Sequence, residues 1–378
     1  MRLAAVLLVV LAWATTAVAQ SDPSANARTA MDALEAASIS LQQAEKSRDR
    51  VAALTETVQA YETGLAAMRE GLRRATIREA SIRGVFDAES ERLAQLLGVL
   101  QTMEAAPAPL LLLHPTGPMG TARSGMILSD VAPALQKEAQ ALKSALQEVA
   151  VLRALQESAV GVLEQGLSGV QDARTRLSQA VSDRTDLPRR FTADPDAMQG
   201  LINSAETLEA FASGLMSVQL DGVEEPITLP DFTSARGTLD MPVLGTILRQ
   251  FDQADAAGIR RPGYVIATRP RAIVTTPWAT TIRYLGPLLD YGNVVVLEPG
   301  EGYLLVLAGL DTLYGTLGDV LPKGAPVGLM GGTSPDSQAF LIGSREGGGA
   351  DRSETLYMEL RWNGEPVDPN AWFAAGKD

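Results

Sequence analysis

Cysteine is absent from this 378-residue chain, and histidine occurs once, at His114. A catalytic zinc ion needs about three protein ligands and an open position for water, and a zinc site built from Asp and Glu alone would be poorly selective. Ser–His–Asp or Cys–His catalysis would depend on His114 alone. The sequence therefore argues against a zinc hydrolase and against a nucleophilic hydrolase. We expect no metal site, no cofactor and no disulfide bond.

Aromatic residues are also scarce, at 5% of the chain, although hydrophobic residues make up 46% of it. A composition poor in aromatics and rich in Ala, Leu, Gln, Glu and Arg indicates long helices in part of the chain. The formal net charge of −13 argues against nucleic acid as a partner, because the chain would not neutralise phosphates. We interpret the acidity as a well-solvated surface.

Only the first residues form a long apolar run. Arg2 precedes an apolar stretch from Leu3 to Trp13, which is too short to span a bilayer as a mature helix. An A-x-A cleavage site ends at Ala19. We predict a signal peptide over residues 1–19 and a mature periplasmic protein without a transmembrane segment. An uncleaved N-terminal membrane anchor is the alternative.

Proline is absent between Asn26 and Thr102, and the apolar residues there recur at alternating spacings of three and four. These residues are Val51, Leu54, Val58, Tyr61, Leu65, Met68 and Leu72. Such a seam predicts a coiled-coil helix on the order of 110 Å long at ~1.5 Å per residue. A second apolar seam over residues 128–181 supplies its partner. We therefore predict an antiparallel coiled-coil hairpin over residues 20–181.

Four prolines, together with Gly117 and Gly120, interrupt the two seams, and we assign residues 105–127 to the tip of the hairpin. This break contains four successive leucines, Leu110, Leu111, Leu112 and Leu113. They form either a short helix that caps the hairpin with its leucines buried, or an exposed apolar tip that binds a partner.

Two proline-containing linkers lie within residues 182–236, and an amphipathic helix is predicted between them over residues 196–220. Its apolar stripe includes Leu201, Leu208, Phe211 and Leu215. The simplest interpretation is a helix that packs on the coiled coil or on the domain that follows.

From Gly237 onward, glycine and proline become frequent and the apolar runs shorten to strand length. This predicts an all-β domain over residues 237–378. The predicted strands are Tyr264–Ala267, Ala272–Thr275, Ala279–Leu285, Asn293–Glu298, Tyr303–Ala308, Pro326–Leu329 and Leu356–Leu360. In the last of them Leu356, Met358 and Leu360 alternate with polar residues, as in a strand with one buried face. We interpret Glu298, Glu301 and Glu359 as surface charges.

This β domain resembles the LytM-type (lysostaphin-like) zinc peptidases. The resemblance rests on Met241-Pro242-Val243 with Gly245, on Tyr291-Gly292-Asn293-Val294-Val295-Val296, on spaced glycines from Gly302 to Gly332, and on the last strand followed by Val367-Asp368-Pro369. It implies that the three zinc ligands of active members correspond to Arg261, Val265 and Tyr357. The two assisting histidines correspond to Gly309 and Thr355. None of the five ligating or assisting side chains is retained.

A coiled-coil hairpin joined to a metal-free LytM domain resembles the EnvC-like murein hydrolase activators. Pro262-Gly263-Tyr264-Val265-Ile266 and Leu356-Tyr357 with Glu359 and Arg361 are similar to that subfamily. The resemblance implies a non-catalytic protein that activates an N-acetylmuramoyl-L-alanine amidase in septal peptidoglycan splitting. It implies that the coiled coil binds the periplasmic part of the FtsEX division complex. Peptidoglycan is a further candidate partner.

The resemblance also implies a partner-binding groove that the helix at 196–220 occupies until the coiled coil is engaged. The groove residues would be Arg261, Val265, Tyr291, Val294, Tyr357 and Arg361. The occluding residues would be Leu201, Leu208, Phe211 and Leu215.

The predicted fold class is thus multidomain, with an N-terminal all-α antiparallel coiled-coil hairpin and a C-terminal all-β, barrel-sandwich-like LytM domain. Two other functions stay open on the sequence: a periplasmic adaptor of an export pump, and a passive peptidoglycan-binding scaffold.

Overall fold

The structure, a computed structural model, describes residues 23–44, 46–104, 118–184, 187–190, 195–217, 229–335, 339–340 and 352–374. The predicted signal peptide, His114 and the tip leucines Leu110–Leu113 lie outside these residues. Within the part of the chain that is described, no helix combines the length and apolar character needed to cross a membrane.

The described residues fall into two compact units. The first comprises residues 23–67, 167–335 and 352–374, and the second comprises residues 68–166 with 339 and 340. The helices are α1 (Pro23–Gln43), α2 (Ser47–Glu104), α3 (Pro118–Ser182), α4 (Pro195–Ser204) and α5 (Leu208–Ser217).

The long helices α2 and α3 run antiparallel, as the two apolar seams predicted. In the first unit, Arg174 of α3 donates to Glu62 of α2 at 2.8 Å. A methyl group at Gly169 would lie 2.6 Å from the Tyr61 ring, so this glycine makes room for the tyrosine. In the second unit, Arg78 pairs with Glu148 at 2.7 Å.

The seam residues of α2 are largely buried, with Val51, Leu54, Val58, Leu65 and Leu72 all below a tenth exposed. In the second seam, the side chains of Leu163, Leu167, Val170 and Leu177 are also buried. Leu146 departs from it, because half of this side chain is exposed.

Helix boundaries differ from the prediction at both ends of the hairpin. The first arm is two helices, because the chain leaves the helix at Ala44 and re-enters it at Ser47. The second arm begins at Pro118 and not at residue 128. Proline is well tolerated in the first turn of a helix, where its missing N–H has no partner to lose. Residues 118–127 of the predicted tip are therefore helical.

The single helix predicted over residues 196–220 is wrong, because two ten-residue helices, α4 and α5, occupy this stretch. The break occurs because Thr207 caps α5: its side chain accepts a hydrogen bond from the backbone N–H of Ala210 at 3.0 Å. Residues 218–220 lie outside the described residues.

The C-terminal domain is an antiparallel β-sheet of ten described strands. Every pairing between them is antiparallel. The strands are β1 (Gly245–Arg249), β2 (Tyr264–Thr268), β3 (Ile273–Thr275), β4 (Thr280–Pro287), β5 (Asn293–Gly300), β6 (Tyr303–Leu313), β7 (Val320–Leu321), β8 (Pro326–Met330), β9 (Glu354–Trp362) and β10 (Glu365–Val367).

The seven predicted strands are all present, and β1, β7 and β10 were not predicted. The main path through the sheet is β1-β2-β9-β6-β5-β4-β7, so β9 lies inside it between β2 and β6. One face of this path packs on the main core of the domain. Leu356, Met358 and Leu360 of β9 point into that core, as their alternation predicted.

Segments from the helical part of the chain cover two edges of the sheet. The edge of β7 is covered by residues 187–190, since Val320 donates to the Pro188 carbonyl at 2.9 Å and Arg190 donates to the Gly318 carbonyl at 3.0 Å. The edge of β3 meets α2, where the Glu62 carboxylate accepts the backbone N–H of Ile273 at 3.1 Å. Covering an edge strand in this way removes a template for unwanted strand pairing.

Candidate partner-binding groove

The opposite face of the sheet carries a trough that is filled by α4 and α5. Its floor consists of apolar side chains from β4, β5, β6 and β9 and from the turn after β4. These floor residues are Tyr284, Leu288, Val294, Val296, Leu304, Val306, Ala308 and Tyr357.

Four side chains of α5 fill the trough most completely. Leu208, Phe211, Ala212 and Leu215 are all less than 5% exposed. The ring of Phe211 meets that of Tyr284 edge-on, with 4.7 Å between centroids. Leu201 of α4 is partly buried in the same cluster, and it fills the space beside Gly214, where a methyl group would come within 2.3 Å of it.

The polar end of the trough is a row of three side chains on β9. The Tyr357 hydroxyl donates to Glu359 Oε2 at 2.6 Å, and Arg361 Nη1 donates to Glu359 Oε1. All three residues are below a tenth exposed, and Arg361 is only 1% exposed. The row follows from the period of a strand, which points every second residue to the same face.

Burial dominates the electrostatics of this row. It raises the pKa of the Tyr357 hydroxyl well above the ordinary tyrosine value, and the neighbouring Glu359 adds to the shift. Burial also raises the pKa of Glu359, although the Tyr357 hydroxyl and the Arg361 charge oppose the shift. Tyr357 is therefore a neutral hydrogen-bond donor at any physiological pH.

A second buried cation lies at the other end of α5. Arg283 of β4 donates through Nη2 to the backbone carbonyl of Leu215 at 2.7 Å, and through Nη1 to Glu298 Oε2 at 2.9 Å. Glu298 is also 3.5 Å from Arg190 Nη1. The last turn of α5 is thus held by a charged group of the sheet.

The five positions that the resemblance equates with zinc ligands and assisting histidines lie near one another. Val265 pairs with Tyr357 across β2 and β9. A methyl group at Gly309 would lie 2.6 Å from the Thr355 carbonyl. The charge of Arg261 acts to lower the pKa of Tyr357, but burial and the neighbouring Glu359 raise it more. Among the described residues, no group of three His, Cys, Asp or Glu side chains could hold a metal ion.

The predicted groove residues take different places in this arrangement. Val294 is fully buried in the trough floor, and Val265 and Tyr291 are partly buried against it. The Tyr291 and Tyr357 ring centroids are 5.9 Å apart. Arg361 lies inside the trough and not at an exposed edge, while Arg261 is exposed.

Two of the three carboxylates that the sequence interpreted as surface charges are buried. Glu298 is 7% exposed and Glu359 is 2% exposed, because each forms an ion pair with a buried arginine. The alternation of Tyr357, Glu359 and Arg361 indicated that Glu359 shares one face of the strand with an aromatic side chain and with a possible ion-pair partner. Arg283 had no such signal, because its partner Leu215 lies 68 residues away in the chain.

Comparison with known proteins agrees with this picture of the C-terminal domain. Residues 260–369 match the model of the family described as Peptidase family M23. The chain is 29% identical over 141 residues to an uncharacterised protein of Neisseria meningitidis, which covers 37% of this chain and 21% of that protein. It is 24% identical over 232 residues to the murein hydrolase activator EnvC of Escherichia coli, which covers 61% of this chain and 52% of EnvC.

Among solved structures, a putative M23 peptidase of Pseudomonas aeruginosa covers 49% of this chain with 65% of its own, at 18% identity and a TM-score of 0.32. The matched part of the chain spans about a fifth of the length of the Neisseria protein and about half of the length of EnvC.

The C-terminal region is therefore a domain of the M23, or LytM, type. The similarity to EnvC over 232 residues agrees with the family resemblance seen in the sequence. The helical hairpin followed by an antiparallel β-domain confirms the predicted fold class.

Proposed function

We propose that this protein is a non-catalytic activator of N-acetylmuramoyl-L-alanine amidases that split septal peptidoglycan during cell division. The observation that carries the proposal is the apolar trough beside the former zinc-ligand positions, filled by helix α5 of the same chain. A metal-free M23-type domain that keeps an apolar trough is suited to binding a protein segment. Tyrosine and arginine, which stand at the end of the trough, are favoured in protein-binding hot spots.

Helix α5 occludes the trough in the resting state. Leu208, Phe211 and Leu215 would have to leave the floor before a partner could bind there. If the docked state is favoured by about 3 kcal/mol, the open state holds about one per cent of the molecules. A partner that binds only the open state is therefore kept off until a signal releases the helix.

The signal comes from the helical hairpin, and its source is the periplasmic domain of FtsX in the FtsEX complex. The support is similarity to EnvC and the presence of an antiparallel hairpin on the N-terminal side of the trough helices. The protein is exported to the periplasm, where amidases and peptidoglycan are found.

The experiment compares full-length variants in a peptidoglycan-release assay with a purified amidase of the same cell. Phe211→Glu places a charge in the trough, so it should release α5 and raise amidase activation. Ala210→Glu is the matched control, because it adds the same charge on the exposed face of α5. Equal activation by both variants and the wild type would remove autoinhibition from the proposal.

A second variant tests the trough itself. Val265→Glu in the Phe211→Glu background should abolish activation, because it charges the surface that the partner would use. Circular dichroism would verify that the fold is retained. Undiminished activation would mean that the amidase binds elsewhere.

A pull-down from periplasmic extract with the Phe211→Glu variant distinguishes the proposal from the two other functions, the export-pump adaptor and the passive peptidoglycan-binding scaffold. Recovery of an amidase and FtsX supports the proposal. Recovery of a pump with its outer-membrane channel, or of wall fragments alone, contradicts it.

A further inference from the structure

Helix α5 contacts two buried arginines of the sheet, one near each of its ends. Near its start, Glu209 lies 3.7 Å from Arg361 Nη2. Near its end, the Leu215 carbonyl accepts a hydrogen bond from Arg283 Nη2 at 2.7 Å. The two positions are six apart in the sequence, which corresponds to about 9 Å along the axis at ~1.5 Å per residue.

The two contacts fix a direction. The last four carbonyls of a helix have no partner within it, and they carry the negative end of the helix dipole. Arg283 meets that end at Leu215. An acidic side chain is favourable in the first turn, where Glu209 stands. A helix laid in the reverse direction would present the positive end of its dipole to Arg283.

Both arginines are held in place by the sheet, independently of α5. Arg283 is bound to Glu298, which also lies near Arg190. Arg361 is bound to Glu359 and to the Gly364 carbonyl. The positions of the two cations should therefore persist when α5 leaves the trough.

We infer that the opened trough selects a helical partner segment by its direction and its C-terminal end. This segment lies in the same direction as α5, carries an acidic residue in its first turn facing Arg361, and ends where its last carbonyls meet Arg283. The inference rests on the proposed function, since it specifies the segment of the partner that displaces α5. Arg283 then has two opposing roles, because it holds α5 in the closed state and holds the partner in the open state.

The test uses Arg283→Met in two backgrounds of the full-length protein. In the otherwise wild-type chain the substitution weakens the hold on α5, so amidase activation should rise. In the Phe211→Glu chain, where α5 is already released, it should lower the apparent affinity for the amidase about tenfold, as expected for the loss of a charge-assisted hydrogen bond. A merely structural role of Arg283 would lower activation in both backgrounds. Such a result would overturn the inference.

The direction of the bound helix is tested with a probe, the synthetic peptide of residues 206–217, added to the Phe211→Glu protein. Replacing Glu209 of the peptide by Lys should weaken its binding roughly fivefold. This loss should disappear when the protein also carries Glu359→Gln with Arg361→Met, which removes both charges of that pair together. It should remain when the protein carries Arg283→Met. Coupling of the peptide's Glu209 to Arg283 and not to Arg361 would mean the reverse direction.

The outcomes separate the inference from the function on which it rests. If the Phe211→Glu protein never activates an amidase, the proposed function fails, whatever the peptide does. If it activates an amidase and Arg283→Met leaves that activation unchanged, the function stands and the inference fails.

Discussion

The carboxylate of Glu62 on α2 accepts a hydrogen bond from the backbone N–H of Ile273 at the edge of strand β3, at 3.1 Å. The same carboxylate binds Arg174 of α3 at 2.8 Å, and both side chains are about a tenth exposed. One buried charge thus joins the two arms of the hairpin to the edge of the sheet. Burial raises the pKa of Glu62 despite the opposing charge of Arg174.

We expect Glu62→Ala to lower the free energy of unfolding by about 3 kcal/mol, because it leaves Arg174 buried without its carboxylate. Urea denaturation followed by circular dichroism measures the change. Glu56→Ala is the control, since Glu56 is an exposed residue of the same helix, and it should change stability by less than about 0.5 kcal/mol. Similar losses from the two substitutions would contradict the role of the Glu62 pair.

Gly263 is expected to be intolerant of any side chain. A methyl group there would lie 2.6 Å from the Met358 carbonyl and 2.8 Å from the Tyr357 ring. Backbone cannot give way as a flexible side chain can, so Gly263→Ala should destabilise the domain by about 1–3 kcal/mol and displace Tyr357. Thermal unfolding of Gly200→Ala provides the comparison. Gly200 lies in helix α4 with open space around it, and alanine there should stabilise the protein by about 0.5–1 kcal/mol.

The hydroxyl of Tyr357, which donates to Glu359, should contribute more to stability than the hydroxyl of the neighbouring Tyr291. Tyr357→Phe removes the donor to a buried carboxylate oxygen, which should cost about 1–3 kcal/mol in stability. Tyr291→Phe removes the hydroxyl from the neighbouring ring and should be close to neutral. Chemical denaturation of the two variants distinguishes these effects, and equal costs would show that the Glu359 contact contributes nothing.

The sequence predicted those helices and strands whose apolar pattern repeats within the element itself. The alternation of Leu356, Met358 and Leu360 predicted β9 and the face that it buries, and the seam of α2 predicted which side chains meet α3. Both patterns repeat within one element, so the period alone determines the outcome. Short edge strands such as β7, with two residues, have no room for a period and were missed.

What the sequence could not predict is set by contacts between distant positions. The cap at Thr207 splits the predicted helix, although the apolar stripe from Leu201 to Leu215 runs through the break. Arg283 meets Leu215 and Glu298 only because strand pairing and helix docking bring them together. The placement of α5 in the trough stood in the sequence only as an implication of the family resemblance.

The raised pKa of Glu359 makes a prediction about pH. Because burial raises its pKa in the folded protein, Glu359 takes up a proton at a higher pH when folded than when unfolded. As the pH falls from 7 toward the ordinary carboxyl pKa, the folded state therefore binds more protons at this site than the unfolded state. Linkage requires that this proton uptake raise the free energy of unfolding relative to a variant without the carboxyl group.

The measurement is the urea midpoint of the wild type and of Glu359→Gln between pH 7 and pH 4. Glu62 and the other carboxylates are common to both proteins, so the difference between the two curves isolates Glu359 with its neighbours Tyr357, Arg361 and Glu209. The stability of the wild type relative to Glu359→Gln should increase as the pH falls through this window. The increase should level off below the ordinary carboxyl pKa. A wild type that loses stability relative to Glu359→Gln would mean that the ion pair with Arg361 outweighs burial and lowers the pKa of Glu359.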